Sequence, residues 1–346
     1  MPNNRYKDIL NGILNSDESS SDVNDHVLLL DGLNTFIRVF STVPALNDDG
    51  SHVGGVIGFL KSLGYMIKVL RPTRCIIVFD GRGGSTRRRK LYPDYKSNRI
   101  NRSSFNRFNE FENITDEQAS MKIQMRRLVE YLTALPVSII SIDYVEADDV
   151  IAYISRQLVT KRSTIVSTDK DFLQLIDATT NVWNPTRKIL YTPEKFKEDY
   201  EIIPANMLLF RLFAGDKSDN ISGVKGIGIK TLIKHFPSIM EEEIHRDELI
   251  VMAKEIQAEA KEKKKTIKAI ESILKSEGII ELNYNLMQLE DVDIAGAIKS
   301  SIRSLYQSDI PRIDTLKFKK MFIEDRLHLI IKNLDPWLRN SFGRLN

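Results

Sequence analysis

Two short apolar runs end the same way: VLLLDG closes on Asp31 and CIIVFDG on Asp80. Neither alternates with polar residues, so a strand built from either hides both faces, as strands of a parallel sheet do. Helices must then cover the sheet above and below. The carboxyl ends of parallel strands share one edge, which is where open α/β sheets place their ligands. The pattern recurs downstream. VSIISIDYVEADD carries Glu146, Asp148 and Asp149 after a third apolar run, and STIVSTDKD carries Asp169 and Asp171 after a fourth. A fifth cluster, Asp216 and Asp219 of GDKSDN, opens the glycine-rich turn GVKGIGIK.

A chain of 346 residues suits about two domains. Residues 1–25 read as a polar, flexible tail with one short helix at Tyr6–Leu14. Residues 26–203 alternate between strand and helix patterns and predict a doubly wound α/β domain: a mostly parallel, twisted sheet flanked by helices. NVWN reads as its fifth strand. Helices are expected over Val53–Leu70, Thr115–Leu135 (capped at Thr115) and Ala147–Val159. Residues 204–346 read as helical, with a helix-hairpin-helix at 216–236 and a charged, solvated helical stretch over 241–275. Lys319–Phe342 reads as one amphipathic helix, suited to core packing and alternatively to docking a partner.

Net charge is +3, but its distribution is uneven. Between Arg82 and Arg107 nine Lys/Arg face the single acid Asp94, a balance of +8, so the rest of the chain carries 3 − 8 = −5. Such a concentrated segment marks an electrostatic footprint for a polyanion. Its cations are interleaved with Tyr92, Tyr95, Phe105 and Phe108, a composition that tracks phosphates and stacks exposed bases. A solvated loop is the plainer alternative. Cys75 is the one cysteine, which excludes a disulfide framework and a Cys-based zinc site. No apolar run is long enough to span a bilayer, and a cytoplasmic location is expected.

Two carboxylates about 5 Å apart repel by roughly 3 kcal/mol at an effective dielectric near 20. A cluster of them needs cations or protons. Oxygen-only donors select hard cations, Mg²⁺ above all. Two such ions can clamp the attacking and leaving oxygens of a phosphodiester. Helix capping explains any one of these acids alone; it does not explain five clusters at strand ends and one turn. The turn nearly fits a phosphate-binding P-loop, yet Ile229 separates Gly228 from Lys230 and no strand precedes it. A helix-hairpin-helix fits better: Gly223, Gly226 and Gly228 let backbone approach a DNA phosphate, and Lys225 and Lys230 add charge. Contacts of that kind are blind to base sequence.

Taken together and in this order, LLLDG, VFDG, VEADD, STDKDF and GDKSDN-ISGVKGIGIK resemble the flap endonuclease, or 5′-nuclease, family over about residues 26–236. The free-standing length resembles the ribonuclease H enzymes of tailed phages. The resemblance implies a PIN-like core and a Mg²⁺-dependent nuclease acting from 5′ ends on flapped, nicked or branched duplex DNA and RNA–DNA hybrids, with Mn²⁺ as a substitute. It assigns Asp31, Asp80, Glu146, Asp148 and Asp149 to one metal, and Asp169, Asp171, Asp216 and Asp219 to a second. It makes the basic segment (82–112) an arch over a 5′ strand, with Arg87, Arg88, Arg89, Lys90 and Tyr95 on nucleic acid and Lys96 and Arg99 at the scissile phosphate. It implies K⁺ at the GIGIK turn, and a monomer that meets a single-stranded-DNA-binding protein or sliding clamp through its C-terminal region. A non-catalytic junction-binding protein and a PIN-type single-strand ribonuclease are the alternatives.

Overall fold

The computed structural model describes residues 23–99, 106 and 111–345. The tail with its expected helix, the Arg99 side chain, and Arg102, Phe105, Arg107 and Phe108 lie outside the described residues. Six strands form one sheet: β1 His26–Asp31, β2 Arg74–Asp80, β3 Ser138–Ile142, β4 Arg162–Val166, β5 Thr180–Asn184 and β6 Ile189–Tyr191. Their order is β3-β2-β1-β4-β5-β6, parallel throughout except for β6, which pairs antiparallel with β5. The chain winds one way from β1 to β3 and the other way from β4. The topological switch therefore lies between β1 and β4, and a crevice opens beyond their carboxyl ends.

Strand period two divides the core into two layers. Val27 and Leu29 of β1, with Ile76 and Val78 of β2, face a layer built by α5 (Ala147–Tyr153), α7 (Met207–Ala214) and the helices after them. Leu28, Leu30, Cys75 and Ile77 face the opposite layer, where α1 (Gly32–Thr42), α2 (Gly54–Leu70) and α4 (Ile114–Leu132) pack. Between these elements run the short α3 (Thr86–Leu91) and α6 (Pro193–Tyr200). The C-terminal region continues through α8 (Ile229–His235), α9 (Arg246–Glu262), α10 (Lys268–Lys275), α11 (Glu277–Met287), α12 (Gly296–Gln307), α13 (Thr315–Glu324) and α14 (Leu334–Phe342). No helix of the described residues is long and apolar enough to cross a membrane.

Several expectations shift. The periodicity does not announce helix α1, whose first turn holds Gly32 and Asn34 and which has no cap separate from the strand: Asp31 closes β1 and caps α1 in one residue. α4 is capped by Asn113, not Thr115, with the Asn113 side chain accepting the Asp116 N–H, and it ends at Leu132. The three-residue β6 is too short to carry a period. Lys319–Phe342 is not one helix. Arg326 adopts a left-handed φ of 53°, and the Leu327 N–H returns to the Phe322 carbonyl at 3.2 Å, which ends α13.

Both resulting helices pack inward. Phe318 is 0% exposed and meets the Tyr131 ring edge-on at 4.9 Å. Asp325 accepts Arg127 Nε and Tyr131 Oη, each at 2.8 Å. α14 lies close enough to α2 that a Cβ on Gly64 would stand 2.7 Å from Ser341 Oγ. Phe318→Ala should therefore cost about 3–5 kcal/mol of unfolding free energy, measured by denaturant titration. A surface helix held in reserve for a partner would lose far less.

Candidate functional site

Each strand-end acid lends an oxygen to the backbone that positions it. Asp31 Oδ1 accepts the Asn34 N–H at 3.0 Å, and its Oδ2 accepts Ser167 Oγ–H at 3.1 Å. Ser167 Oγ in turn accepts the Asp169 N–H at 3.0 Å, so one serine ties the ends of β1 and β4 together across the switch point. Asp169 Oδ1 accepts the Asp171 N–H at 2.9 Å. Asp80 Oδ1 accepts the Ala147 N–H at 2.7 Å and caps α5 from a different strand. Capping is thus real at these positions, and it is also what converges the acids on a single edge.

Their electrostatics record the crowding. Burial, with the charges of Asp80 and Asp169 adding to it, pushes the Asp31 carboxyl up to about 7. Asp148 is raised well above the usual carboxylate range by burial and then by Asp169 and Asp31. Burial raises Asp169 as well, and burial plus the Asp169 charge brings Asp171 to about 7.

The flanks of this group are neutralised from within. Lys96 Nζ donates to Glu146 Oε1 at 2.5 Å and lies 3.9 Å from Asp219 Oδ2. Arg88 pairs with Glu146 and binds both oxygens of Asp149 at 2.7 Å, while its Nε donates to the Leu286 carbonyl at 2.8 Å. Burial pushes the Glu146 carboxyl up, but the Arg88 and Lys96 charges outweigh it and hold it below its ordinary value. Arg211 of α7 bridges two clusters, donating to Asp171 Oδ1 at 2.7 Å and Asp216 Oδ2 at 2.5 Å.

The sequence patterns do not single out Arg211. The available signal was a single cation in the apolar run MLLFRLFAG, which is costly inside a core unless an acid waits for it. The family resemblance gives Arg88 and Tyr95 to nucleic acid. Here both are 3% exposed and face the protein, with Tyr95 Oη 3.3 Å from Glu146 Oε2. The reason is helical geometry. α3 turns Arg88 toward α5 and leaves Arg89 and Lys90 exposed, while Arg87 sits half-buried, 3.8 Å from Asp149.

The glycine-rich turn is attached to the same unit. The Lys96 N–H donates to the Asp219 carbonyl at 2.9 Å, Asn220 Nδ2 to the Asp94 carbonyl at 3.0 Å, and Asn98 Nδ2 to the Lys217 carbonyl at 2.8 Å. Gly226 takes a left-handed φ of 80° and is exposed beside Lys225; Gly228 caps α8, and Lys230 is exposed. Gly223 is required by packing: a Cβ there would stand 2.4 Å from the Ala214 carbonyl oxygen.

Among the described residues no three acidic side chains close into a ready-made metal cage. The donors nevertheless fit a hard divalent cation. All are oxygens, several are held above their ordinary pKa by burial and by neighbouring acids, and Mg²⁺ keeps most of its water and takes few carboxylates. A cleft of about 400 Å³ is lined by Asp80 and Glu146 of the acidic edge together with Lys96 and Arg89 of the basic segment.

Two outcomes follow from this geometry. A carboxyl whose folded pKa is raised contributes stability at low pH that is lost as pH rises through the folded value. For Asp31 that window runs from about 4 to about 7. Asp31→Asn keeps a good cap and should raise the melting temperature of the cation-free protein more at pH 8 than at pH 5. Arg88→Met should cost about 3–5 kcal/mol in thermal unfolding at pH 7, because it takes from buried Asp149 its bidentate partner and leaves Glu146 to Lys96 alone. A surface nucleic-acid contact would leave stability unchanged.

Residues 26–201 match the family described as 5′-3′ exonuclease, N-terminal resolvase-like domain. A 5′-3′ exonuclease of Aquifex aeolicus is 28% identical over 322 residues, which is 91% of this chain and 97% of the relative. One from Buchnera aphidicola is 31% identical over 222 residues, 62% of this chain and 72% of the relative. Among solved structures, the bacteriophage T5 flap endonuclease, crystallised with DNA and metal ions, superimposes with a TM-score of 0.61 at 18% identity, covering 87% of this chain and 99% of that one. With the carboxylate-edged parallel sheet already in place, these likenesses settle the class: the chain belongs to the 5′–3′ exonuclease family and is a nuclease, a hydrolase of phosphodiester bonds.

Proposed function

We propose that the chain cuts nucleic acid from 5′ ends where a single strand meets a duplex, removing flaps and RNA primers in replication. The substrates would be flapped, nicked or branched DNA and RNA–DNA hybrids. The observation that carries this reading is the strapping of three parts into one unit: Lys96 reaches Glu146 with its ammonium and Asp219 with its backbone. A strand held by the basic segment and a duplex held by the GIGIK turn would then meet at the acids.

Asp31, Asp80, Asp148 and Asp169 would hold Mg²⁺, or Mn²⁺ in its place, with Glu146, Asp171, Asp216 and Asp219 around them. Asp149 serves Arg88 in this arrangement. The ions supply Lewis-acid polarisation of the phosphodiester. Lys96 would shift from Glu146 to the phosphate and offset the charge that develops there. Arg89 and Lys90 would track the 5′ strand, together with Arg99. Lys225, Gly226, Gly228 and Lys230 would hold a duplex phosphate, with K⁺ at that turn. Catalysis belongs to residues 26–203 in this reading and duplex holding to 204–346, where a single-stranded-DNA-binding protein or sliding clamp would also dock on the monomer.

Asp148→Asn tests the assignment. It should abolish Mg²⁺-dependent cleavage of a 5′-flapped duplex and leave binding in EDTA within about threefold of wild type, since the acid adds no contact to phosphate. Full cleavage by the folded variant would remove the carboxylate edge from the chemistry.

A further inference from the structure

None of the strand-end acids, and none of the cations of the basic segment or the GIGIK turn, lies on α11 (Glu277–Met287). Hydrogen bonds nevertheless tie this helix to all three. At its C-terminal end the Leu286 carbonyl accepts Arg88 Nε at 2.8 Å. The next carbonyl, that of Met287, accepts Gln174 Nε2 at 3.0 Å, and the same amide nitrogen donates to the Asp171 carbonyl at 2.8 Å. The Leu289 N–H donates to Gln174 Oε1 at 2.9 Å, so this buried amide is held on both sides. One turn earlier in α11 stands Asn283, 1% exposed. Its Nδ2 donates to the Leu212 carbonyl at 2.7 Å and to the Ser222 carbonyl at 2.9 Å. Beside these grips, Leu286 and Met287 pack with Ile221 and Tyr95 in a small apolar cluster of their own.

The plainest role for Asn283 is to cap a helix. α7 ends at Ala214, and the last carbonyls of a helix lack helical partners. Here Asn283 takes that of Leu212, and the Val224 N–H takes that of Phe213 at 2.7 Å. A cap of this kind needs one donor. Asn283 spends its second amide proton on Ser222, where the glycine-rich turn begins. The two carbonyls belong to parts with different tasks. Next to Leu212 is Arg211, which holds Asp171 and Asp216; next to Ser222 is the turn with Gly226 and Gly228. A hydroxyl supplies one donor and an aliphatic side chain none, so joining both carbonyls calls for an amide.

We propose that Asn283 is a positioning residue for cleavage. Through α11 it fixes the register between the duplex-holding turn and the acidic edge, and so decides which phosphodiester of the strand meets the metal-binding acids. It touches neither the acids nor the substrate. Its effect is on placement, and a misplacement of about 1 Å can cost on the order of 10²-fold in rate. The apolar cluster serves the same joint from the other side, because Ile221 leads into the turn and Tyr95 belongs to the basic segment. The inference rests on the nuclease reading above.

The test maps the cut in an end-labelled 5′-flapped duplex with Mg²⁺ on a sequencing gel and measures kcat and KM alongside. Asn283→Leu keeps the side-chain volume and removes both donors. It should lower kcat about tenfold with KM within about twofold of wild type, and spread cleavage from the principal phosphodiester onto its neighbours. Asn283→Ser keeps one donor and should fall between the two. Ile221→Ala loosens the joint without touching the amide; it should also spread the cut, and it stands in if Asn283→Leu does not fold. Partial unfolding lowers the active fraction alone and leaves the cut positions of the surviving enzyme where they were. Wild-type cut positions in Asn283→Leu, or in Ile221→Ala if the first variant does not fold, would therefore overturn the proposal whatever the rate, and leave the nuclease reading intact. Failure of the wild type to cut the flapped duplex would sink that reading and the proposal with it.

Discussion

Asp31, Asp148, Asp169 and Asp171 lie at the ends of strands and in the first turns that follow them, where burial first and a neighbouring acid second disfavour the ionisation of each. That repulsion is built into the topology. The β1–β4 pairing sets Leu30 beside Val166, so the acids that terminate β1 and follow β4 have nowhere else to point. The fold tolerates this because hydrogen bonds already made for other purposes hold the acids. Asn34, Ala147 and Asp171 each donate a backbone N–H, and Ser167 links two of the strand ends. What remains is a deficit of positive charge at one edge.

Three internal cations bound that deficit without filling it. Arg88 takes Asp149, Arg211 takes Asp171 and Asp216, and Lys96 leans on Glu146. Each also joins elements that are distant in sequence. Arg88 ties α3 to α5 and to the end of α11, and Arg211 ties α7 to the loop after β4. Removing one would loosen the frame as well as unbalance the charge, which separates these cations from the exposed Arg89 and Lys90. Among the described residues no cation pairs with Asp31 or Asp148, which leaves the crevice between β1 and β4 suited to a divalent ion.

Much of the site was legible as spacing. Apolar runs without alternation announced parallel strands, and an acid at the end of each announced a shared edge. The roles inside the basic segment were not legible. Nothing in TRRRK says which arginine faces inward; the six-residue helix decides by placing Arg88 against Asp149. Tyr95 looked like a stacking platform and is buried beneath Glu146. Arg211 is not legible in the sequence either, because one cation in an apolar helix carries no period and only the surrounding acids give it meaning.

The sequence by itself determined the class of sheet, the strand-end position of the acids and the hard-cation chemistry of an all-oxygen donor set. Those follow from local pattern and residue type, which act over a few bonds. Tertiary structure decided which charges cancel. It set Lys96 between Glu146 and Asp219, divided the arginines into internal anchors and exposed contacts, and broke Lys319–Phe342 into two packed helices. Coulomb energies and burial depend on distances through space, and residues from 40 to 123 positions apart acquire those distances only when the chain folds.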